Sequence, residues 1–175
     1  MDKAGIGTLN RTERAFFTLV RAGLWEREVD ELQLFPLSDA EWMQVFKLAN
    51  QQTVGALTFQ GACQLPDEFM PNELILQQWL AVVDATERTG RQTNRVLNGL
   101  FQLMESHDVH PILLKGQGIA ALYLQPLQRN CGDIDLYFPN AADETKALAV
   151  MREAGCNPEL MADGSYSYTW QGVEI

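Results

Sequence analysis

The first hundred residues carry apolar side chains at the spacing of α-helices. Over residues 8–28, the apolar positions recur about every 3.6 residues and form one stripe, made of Phe16, Phe17, Val20 and Leu24. Ser38 and Glu41 have the spacing of a capping box, which predicts that a second helix begins there. Residues 53–63 predict a third helix and residues 71–107 a fourth. The sequence therefore predicts a helical N-terminal region.

The middle of the fourth predicted helix is polar. Residues 84–95 contain almost no apolar side chains, and Arg88, Arg91 and Arg95 fall on one helical face because they are three and four positions apart. Two interpretations are open. A solvated helix face can carry such a row of guanidinium groups, and so can a helix that lies beside an anionic ligand.

After residue 108, short apolar runs replace the helical period. They predict strands at 109–114, 133–138, 165–170 and 173–175, and helices at 119–124 and 141–154. Between the first strand and the first of these helices lies a glycine turn, residues 115–118. We therefore expect an α+β fold, in which a helical region (1–108) precedes a small mixed β-sheet with flanking helices (109–175).

Composition limits the partners that the chain can have. The 175 residues are 46% hydrophobic, which is enough to build a core. The 23 acidic and 13 basic residues leave a net charge of −10, so broad binding to nucleic acid or to an anionic membrane is not expected. The spacing of the three cysteines predicts reduced thiols, and no apolar run reaches the roughly 18 residues of a membrane helix. We expect a cytoplasmic protein.

Two aspartates in the strand at 133–138 are the strongest candidates for chemistry. Asp133 and Asp135 are two positions apart, so on a strand both point to the same face, with α-carbons roughly 7 Å apart. Carboxylates this close repel each other unless a cation lies between them. Mg²⁺ prefers oxygen ligands and binds readily to substrate phosphates. The spacing therefore favours a magnesium site.

Basic residues and the glycine turn lie close to this strand in the sequence. The turn places unhindered backbone amides at the start of a helix, where phosphate oxygens can approach. Lys115 adds a mobile positive charge, although a lysine that merely extends into solvent from a strand end would look the same. Arg129, four residues before Asp133, either binds a substrate phosphate or pairs with an aspartate to hold the loop.

Together, the turn and the aspartate strand resemble the nucleotidyltransferase superfamily that includes the DNA polymerase beta-like enzymes. That superfamily carries a glycine turn followed by acidic residues that alternate with hydrophobic ones. Leu-Leu-Lys-Gly at 113–116 and Arg-x-x-Gly-Asp-Ile-Asp-Leu at 129–136 are more closely similar to an uncharacterised bacterial nucleotidyltransferase family. The resemblance covers residues 109–175, and it implies that a helical part leads into the Leu-Lys-Gly strand.

The resemblance also implies an activity and a set of site residues. The activity is Mg²⁺-dependent transfer of a nucleoside monophosphate from a nucleoside triphosphate to an acceptor, with release of pyrophosphate. The catalytic and metal-binding residues would be Asp133, Asp135 and Glu174, and the nucleotide-binding residues Lys115, Gly116, Gln117 and Arg129. Because the chain ends one residue after Glu174, we expect a core that is truncated at its C-terminus. The acceptor, the base preference and the oligomeric state stay open.

Two other functions are compatible with the same residues. A catalytically silent interaction module could keep the fold and bind a protein partner, because a fold does not establish an activity. A metal-dependent phosphohydrolase could use the same aspartates, and it would release inorganic phosphate in place of pyrophosphate.

Overall fold

Helices make up most of the chain as far as Ser106, as the apolar spacing predicts. The computed structural model describes residues 9–175, and it has two compact units, one ending at Thr86 and the other formed by Glu87–Ile175. The helices of this part are α1 (Arg11–Trp25), α2 (Asp39–Gln51), α3 (Gly55–Ala62) and α4 (Glu73–Ser106). Short 3₁₀ turns lie at Leu32–Leu34 and Asp67–Phe69.

Side-chain caps determine where the first two helices begin. Ser38 accepts a hydrogen bond from the Glu41 amide and Glu41 accepts one from the Ser38 amide, so the predicted capping box is confirmed. Asn10 and Glu13 form a second capping box, which starts α1 later than the predicted range. The predicted start at Thr8 lies outside the described residues.

Two tryptophans lie at the centre of the first unit. Trp42 and Trp79 are 1% and 0% exposed, and their rings meet edge to face with centroids 6.0 Å apart. The Trp79 indole donates a hydrogen bond of 2.8 Å to the Gly55 carbonyl, which ties α4 to the first turn of α3. Burial of both rings explains why the helical stripes of this unit converge on one core.

Helix α4 carries the arginine row on its exposed surface. Arg91 pairs with Glu87 one turn earlier at 2.7 Å, and Arg95 donates to Gln92 at 2.9 Å. Contacts between residues three and four apart are the usual way in which a solvated helix face is stabilised. They agree with the first of the two interpretations of this row.

The second unit contains short paired strands. β1 (Ile112–Leu113) pairs antiparallel with β2 (Leu136–Tyr137), and the last four strands form two further antiparallel pairs, the third with the fourth and the fifth with the sixth. The bounds of the last four are Glu159–Leu160, Tyr166–Ser167, Thr169–Trp170 and Val173–Glu174. Helices α5 (Gln117–Ala120) and α6 (Ala141–Glu153) and a 3₁₀ turn (Pro126–Gln128) connect them. The predicted α+β class is confirmed.

One parallel bridge makes the strand arrangement mixed. It joins Asp133 to Glu174, and the Ile134 amide donates to the Glu174 carbonyl at 3.0 Å. Regular strand pairing is confined to β2, so the predicted strand at 133–138 is shorter in the structure, and Asp133 takes part only through this bridge. The bridge connects residues 133–137, called the aspartate strand below, to the β5–β6 hairpin. On the opposite side, the Leu114 amide donates to the Asp135 carbonyl at 3.0 Å, which extends the pairing of β1 toward the glycine turn.

β1 is shorter than the predicted strand at 109–114. The Val109 amide donates to the Met104 carbonyl at 3.0 Å, so this residue caps the end of α4 and is not free to pair in a strand. Asp108 has a left-handed backbone, with φ +53°, and Pro111 has no amide to donate to a neighbouring strand. The strand can therefore start only at Ile112.

The core of the second unit holds the aspartate strand in place. Ile134, only 2% exposed, packs with Val96, Leu100 and Met104 of α4 and with Met151 of α6. Since side chains alternate along a strand, burial of Ile134 turns its two neighbours away from the core.

Two predictions about the whole chain can also be compared with the structure. Cys63, Cys131 and Cys156 are all free thiols. Within residues 9–175, every helix is too short or too polar to cross a bilayer.

Candidate active site

Asp133 and Asp135 lie just before β2 and share one positive partner. The Lys115 ammonium is 3.1 Å from Oδ2 of Asp135 and 3.8 Å from Oδ2 of Asp133. The side chains of Asp133 and Asp135 are 51% and 30% exposed, but the Oδ2 atom of Asp135 that faces Lys115 is itself buried. Within residues 9–175, the Lys115 ammonium is thus a cationic group within 4 Å of both carboxylates, and it offsets part of their repulsion.

Lys115 reaches this position because it follows β1, which pairs with the aspartate strand. The two neighbouring carboxylates, Asp135 first and then Asp133, raise the pKa of Lys115 above its usual value. The side chain is 57% exposed, which means that water screens the pair and the ammonium is free to move. Sequence alone did not show that Lys115 would contact both aspartates.

The glycine turn comes into direct contact with the aspartate strand. Gly116 is buried and has φ +63° and ψ −117°, a backbone conformation that is costly for any residue with a β-carbon. A β-carbon at this position would also lie 3.3 Å from the carbonyl oxygen of Asp133. A glycine is therefore needed here both for its conformation and for the close approach of two main chains.

Arg129 holds the turn from the other side. Its Nη1 donates a hydrogen bond of 3.0 Å to the Gly116 carbonyl and also contacts the Sγ of Cys131. Cys131 is 5% exposed and lies two residues before Asp133. Arg129 thus connects the turn to the loop that leads into the aspartate strand, a contact with a main-chain oxygen that the sequence interpretations did not include.

Gln117 begins helix α5 directly after the turn. Its side-chain Nε2 is buried and has no hydrogen-bond partner among the described residues. A buried donor without an acceptor is costly, so an acceptor oxygen brought to this place would stabilise it.

Glu174 joins the site through its main chain. Its carbonyl accepts from the Ile134 amide, and its side-chain Oε1 accepts a hydrogen bond of 3.1 Å from the Ser167 hydroxyl. Over the described part of the chain, no three His, Cys, Asp or Glu side chains converge as a ready metal-binding cluster. The bridge therefore brings Glu174 next to the aspartate strand, while its carboxylate is held by Ser167.

A cavity of about 540 Å³ opens beside these residues. Its wall contains Asp133, Asp135, Glu174 and two further acids, together with apolar and aromatic side chains that include Phe138, Met161, Tyr166 and Tyr168. Burial raises the pKa of the Tyr168 hydroxyl still further above neutral pH. The lining combines carboxylates with apolar and aromatic side chains, and the size of the cavity is within the range of small-molecule sites, roughly 300–1,000 Å³.

Comparison with known proteins identifies the family. A family model described as "Uncharacterised nucleotidyltransferase" matches residues 38–175, which include both aspartates, the glycine turn and most of the helical region. No curated protein and no solved structure gives a significant match. Since the match extends over well more than half of the sequence, the chain belongs to this uncharacterised nucleotidyltransferase family.

Proposed function

We propose that this chain is a magnesium-dependent nucleotidyltransferase core. It would move a nucleoside monophosphate from a nucleoside triphosphate to an acceptor and release pyrophosphate. Family membership supports the class of reaction. The observation that carries the finer proposal is that Asp133 and Asp135 share one cation directly beside the Gly116 turn.

Asp133 and Asp135 are suitable ligands for Mg²⁺. Both offer carboxylate oxygens, the ligand type that this ion prefers, and both already lie within 4 Å of a single positive group. Glu174 would contribute a third carboxylate after its hydrogen bond with Ser167 is given up. The metal would supply charge neutralisation of the triphosphate and of the departing pyrophosphate.

Lys115, the turn and Arg129 form the proposed binding site for the triphosphate. The ammonium of Lys115 is mobile enough to pair with a phosphate oxygen, and the amides of Gly116 and Gln117 lie at the start of α5. The buried Nε2 of Gln117 would gain an acceptor. Arg129 keeps the turn in shape through the Gly116 carbonyl, and its guanidinium has further donors for phosphate.

The cavity offers space for the remainder of the reactants. Its aromatic side chains, Tyr166 and Tyr168, are half-buried and provide surfaces on which a planar base or an apolar acceptor can pack. Attack by the acceptor hydroxyl on the α-phosphorus forms the new P–O bond as the bond to pyrophosphate breaks. An acceptor held next to the carboxylates would have its hydroxyl close to the reacting phosphate.

The proposal is tested with the full chain and each of the four Mg²⁺·nucleoside triphosphates. Binding is measured by calorimetry with α,β-methylene analogues, and slow transfer to water is followed as pyrophosphate release. Asp133→Asn and Asp135→Asn should each lower the release rate at least about 100-fold. Asp163→Asn, which changes a carboxylate of the same cavity wall, is the matched control and should change the rate less than about threefold.

Three results would contradict the proposal. The first is the absence of binding of any triphosphate by folded protein, as a silent module would show. The second is release of inorganic phosphate, which would indicate a phosphohydrolase. The third is an equal effect of Asp163→Asn and Asp133→Asn, because the aspartate pair would then have no special role.

A further inference from the structure

The Lys115 ammonium occupies the place where the two aspartates would bind a metal ion. It is within 4 Å of Oδ2 of both Asp133 and Asp135, and it is the partner that offsets their mutual repulsion. A divalent ion bound by the same two oxygens would lie next to the ammonium. Because the charges of the ion and the ammonium have the same sign, both cannot keep this position without a large repulsion.

Lys115 is also able to leave. Its side chain is 57% exposed, and a lysine has a flexible four-carbon stem that can move its charge by several ångströms at small cost. Arg129, which holds the carbonyl of Gly116, keeps the turn in place independently of the lysine. Departure of the ammonium would therefore leave the backbone of the site unchanged.

We propose that Lys115 is an exchangeable internal counter-ion of the aspartate pair. It offsets half of the negative charge of Asp133 and Asp135 until a divalent cation arrives, and the displaced ammonium then pairs with the triphosphate that accompanies the metal. The inference rests on the proposed function, and it adds how the two ligands affect each other. The metal alone binds weakly, and the metal and the nucleotide each raise the binding affinity of the other. Such coupling is reciprocal, since each ligand must raise the affinity of the other by the same factor.

The test uses Mn²⁺, whose free form has a six-line paramagnetic resonance signal that disappears on binding. Lys115→Met removes the competing ammonium and should bind Mn²⁺ about tenfold more tightly than the unaltered chain. Lys146→Met is the matched control, because it removes a positive charge from the same unit. The Lys146 ammonium donates to the main-chain carbonyl of Asp108 at 3.2 Å, away from the aspartate pair. Its Mn²⁺ affinity should change less than about twofold.

The second measurement is the coupling between metal and nucleotide. Binding of α,β-methylene ATP is measured with and without Mn²⁺ in the same three proteins. In the unaltered chain and in Lys146→Met, Mn²⁺ should raise the nucleotide affinity. In Lys115→Met, the factor by which Mn²⁺ raises this affinity should be about tenfold smaller. Thermal unfolding checks that each variant is folded, and Lys115→Gln serves as a second, polar replacement.

The outcomes separate this inference from the proposed function. Equal Mn²⁺ affinities of Lys115→Met and Lys146→Met would overturn the exchange and leave the metal site intact. If Lys115→Met bound Mn²⁺ more tightly but Mn²⁺ strengthened its nucleotide binding by the same factor as in the unaltered chain, the pairing of the displaced ammonium with phosphate would be overturned. If none of the folded proteins bound Mn²⁺, both the exchange and the proposed metal site would be wrong.

Discussion

The main chain of Gly116 packs against the main chain of Asp133. A β-carbon on Gly116 would lie 3.3 Å from the Asp133 carbonyl oxygen, and Gly116 has φ +63°. The turn proposed to bind phosphate and the strand proposed to bind metal therefore have a fixed separation. Changes in the turn should be transmitted to the carboxylates even though no side chain connects the two residues.

Gly116→Ala tests this contact. The substitution forces a β-carbon into a left-handed conformation and against the Asp133 carbonyl, so the free energy of unfolding should fall by about 1–3 kcal/mol. Triphosphate affinity should fall as well. The measurements are guanidinium-induced unfolding and calorimetric titration.

Gly132→Ala is the control for that substitution. It lies directly before Asp133, but a β-carbon there meets no atom within 4 Å. Its unfolding free energy should stay within about 0.5 kcal/mol of the unaltered value. Equal effects of the two glycine changes would show that the turn is not packed against the strand as described.

Glu174→Gln separates the main-chain role of residue 174 from the role of its carboxylate. The bridge to Ile134 uses the carbonyl oxygen, and a glutamine can still accept from Ser167, so stability should change by less than about 0.5 kcal/mol. Pyrophosphate release should drop at least about tenfold, because a metal-binding charge is lost. Glu159→Gln, on exposed β3, is the matched control. A normal rate for Glu174→Gln would exclude it from the metal site.

Arg129→Met removes the donor that holds the Gly116 carbonyl. We expect a loss of about 1–3 kcal/mol of unfolding free energy, because a part-buried carbonyl loses its charged partner. Arg129→Lys keeps the positive charge but lacks the planar guanidinium. Its unfolding free energy should therefore lie between those of Arg129→Met and the unaltered chain. The measurement is denaturant unfolding, with exposed Arg152→Met as the control. Full recovery in Arg129→Lys would show that charge, and not hydrogen-bond geometry, holds the turn.

The capping box of α2 predicts a pH dependence of stability. Hydrogen bonds from the Ser38 amide and the Ser38 hydroxyl hold the pKa of Glu41 below its usual value of 4.5. The folded state therefore favours the carboxylate, and the resulting stabilisation is present above pH 4.5 and lost as the pH falls through the lowered pKa. The unaltered chain should be more stable than Glu41→Gln at pH 7, and the difference should shrink below pH 4.5.

Ser38→Ala provides the control for this pH effect. It removes the hydroxyl, one of the two donors that Ser38 offers to Glu41, and it should cost about 1 kcal/mol of unfolding free energy. In that background, Glu41→Gln should have a smaller effect at pH 7, because the carboxylate has lost part of its stabilisation. Urea unfolding followed by circular dichroism at pH 3 to 7 measures both. A difference between the unaltered chain and Glu41→Gln that stays constant over this range would contradict the predicted linkage.

Elements held together by neighbouring residues were predicted well. The apolar spacing and the Ser38 capping box predicted the helices of the N-terminal region within a few residues, because helical hydrogen bonds join residues four apart. The strand lengths were predicted less well. β1 starts at Ile112 because Val109 completes the end of α4, and that depends on how the helix terminates in three dimensions.

The sequence by itself determined the α+β class, the family and the chemistry that the aspartate pair favours. Alternation along a strand is sufficient to place Asp133 and Asp135 on one face once Ile134 is buried. Only the tertiary structure decided what surrounds them: Lys115 between the carboxylates, Arg129 on the Gly116 carbonyl, and Glu174 beside Asp133. These residues are far apart along the chain, and no local pattern encodes which of them meet, because strand pairing and core packing bring them together.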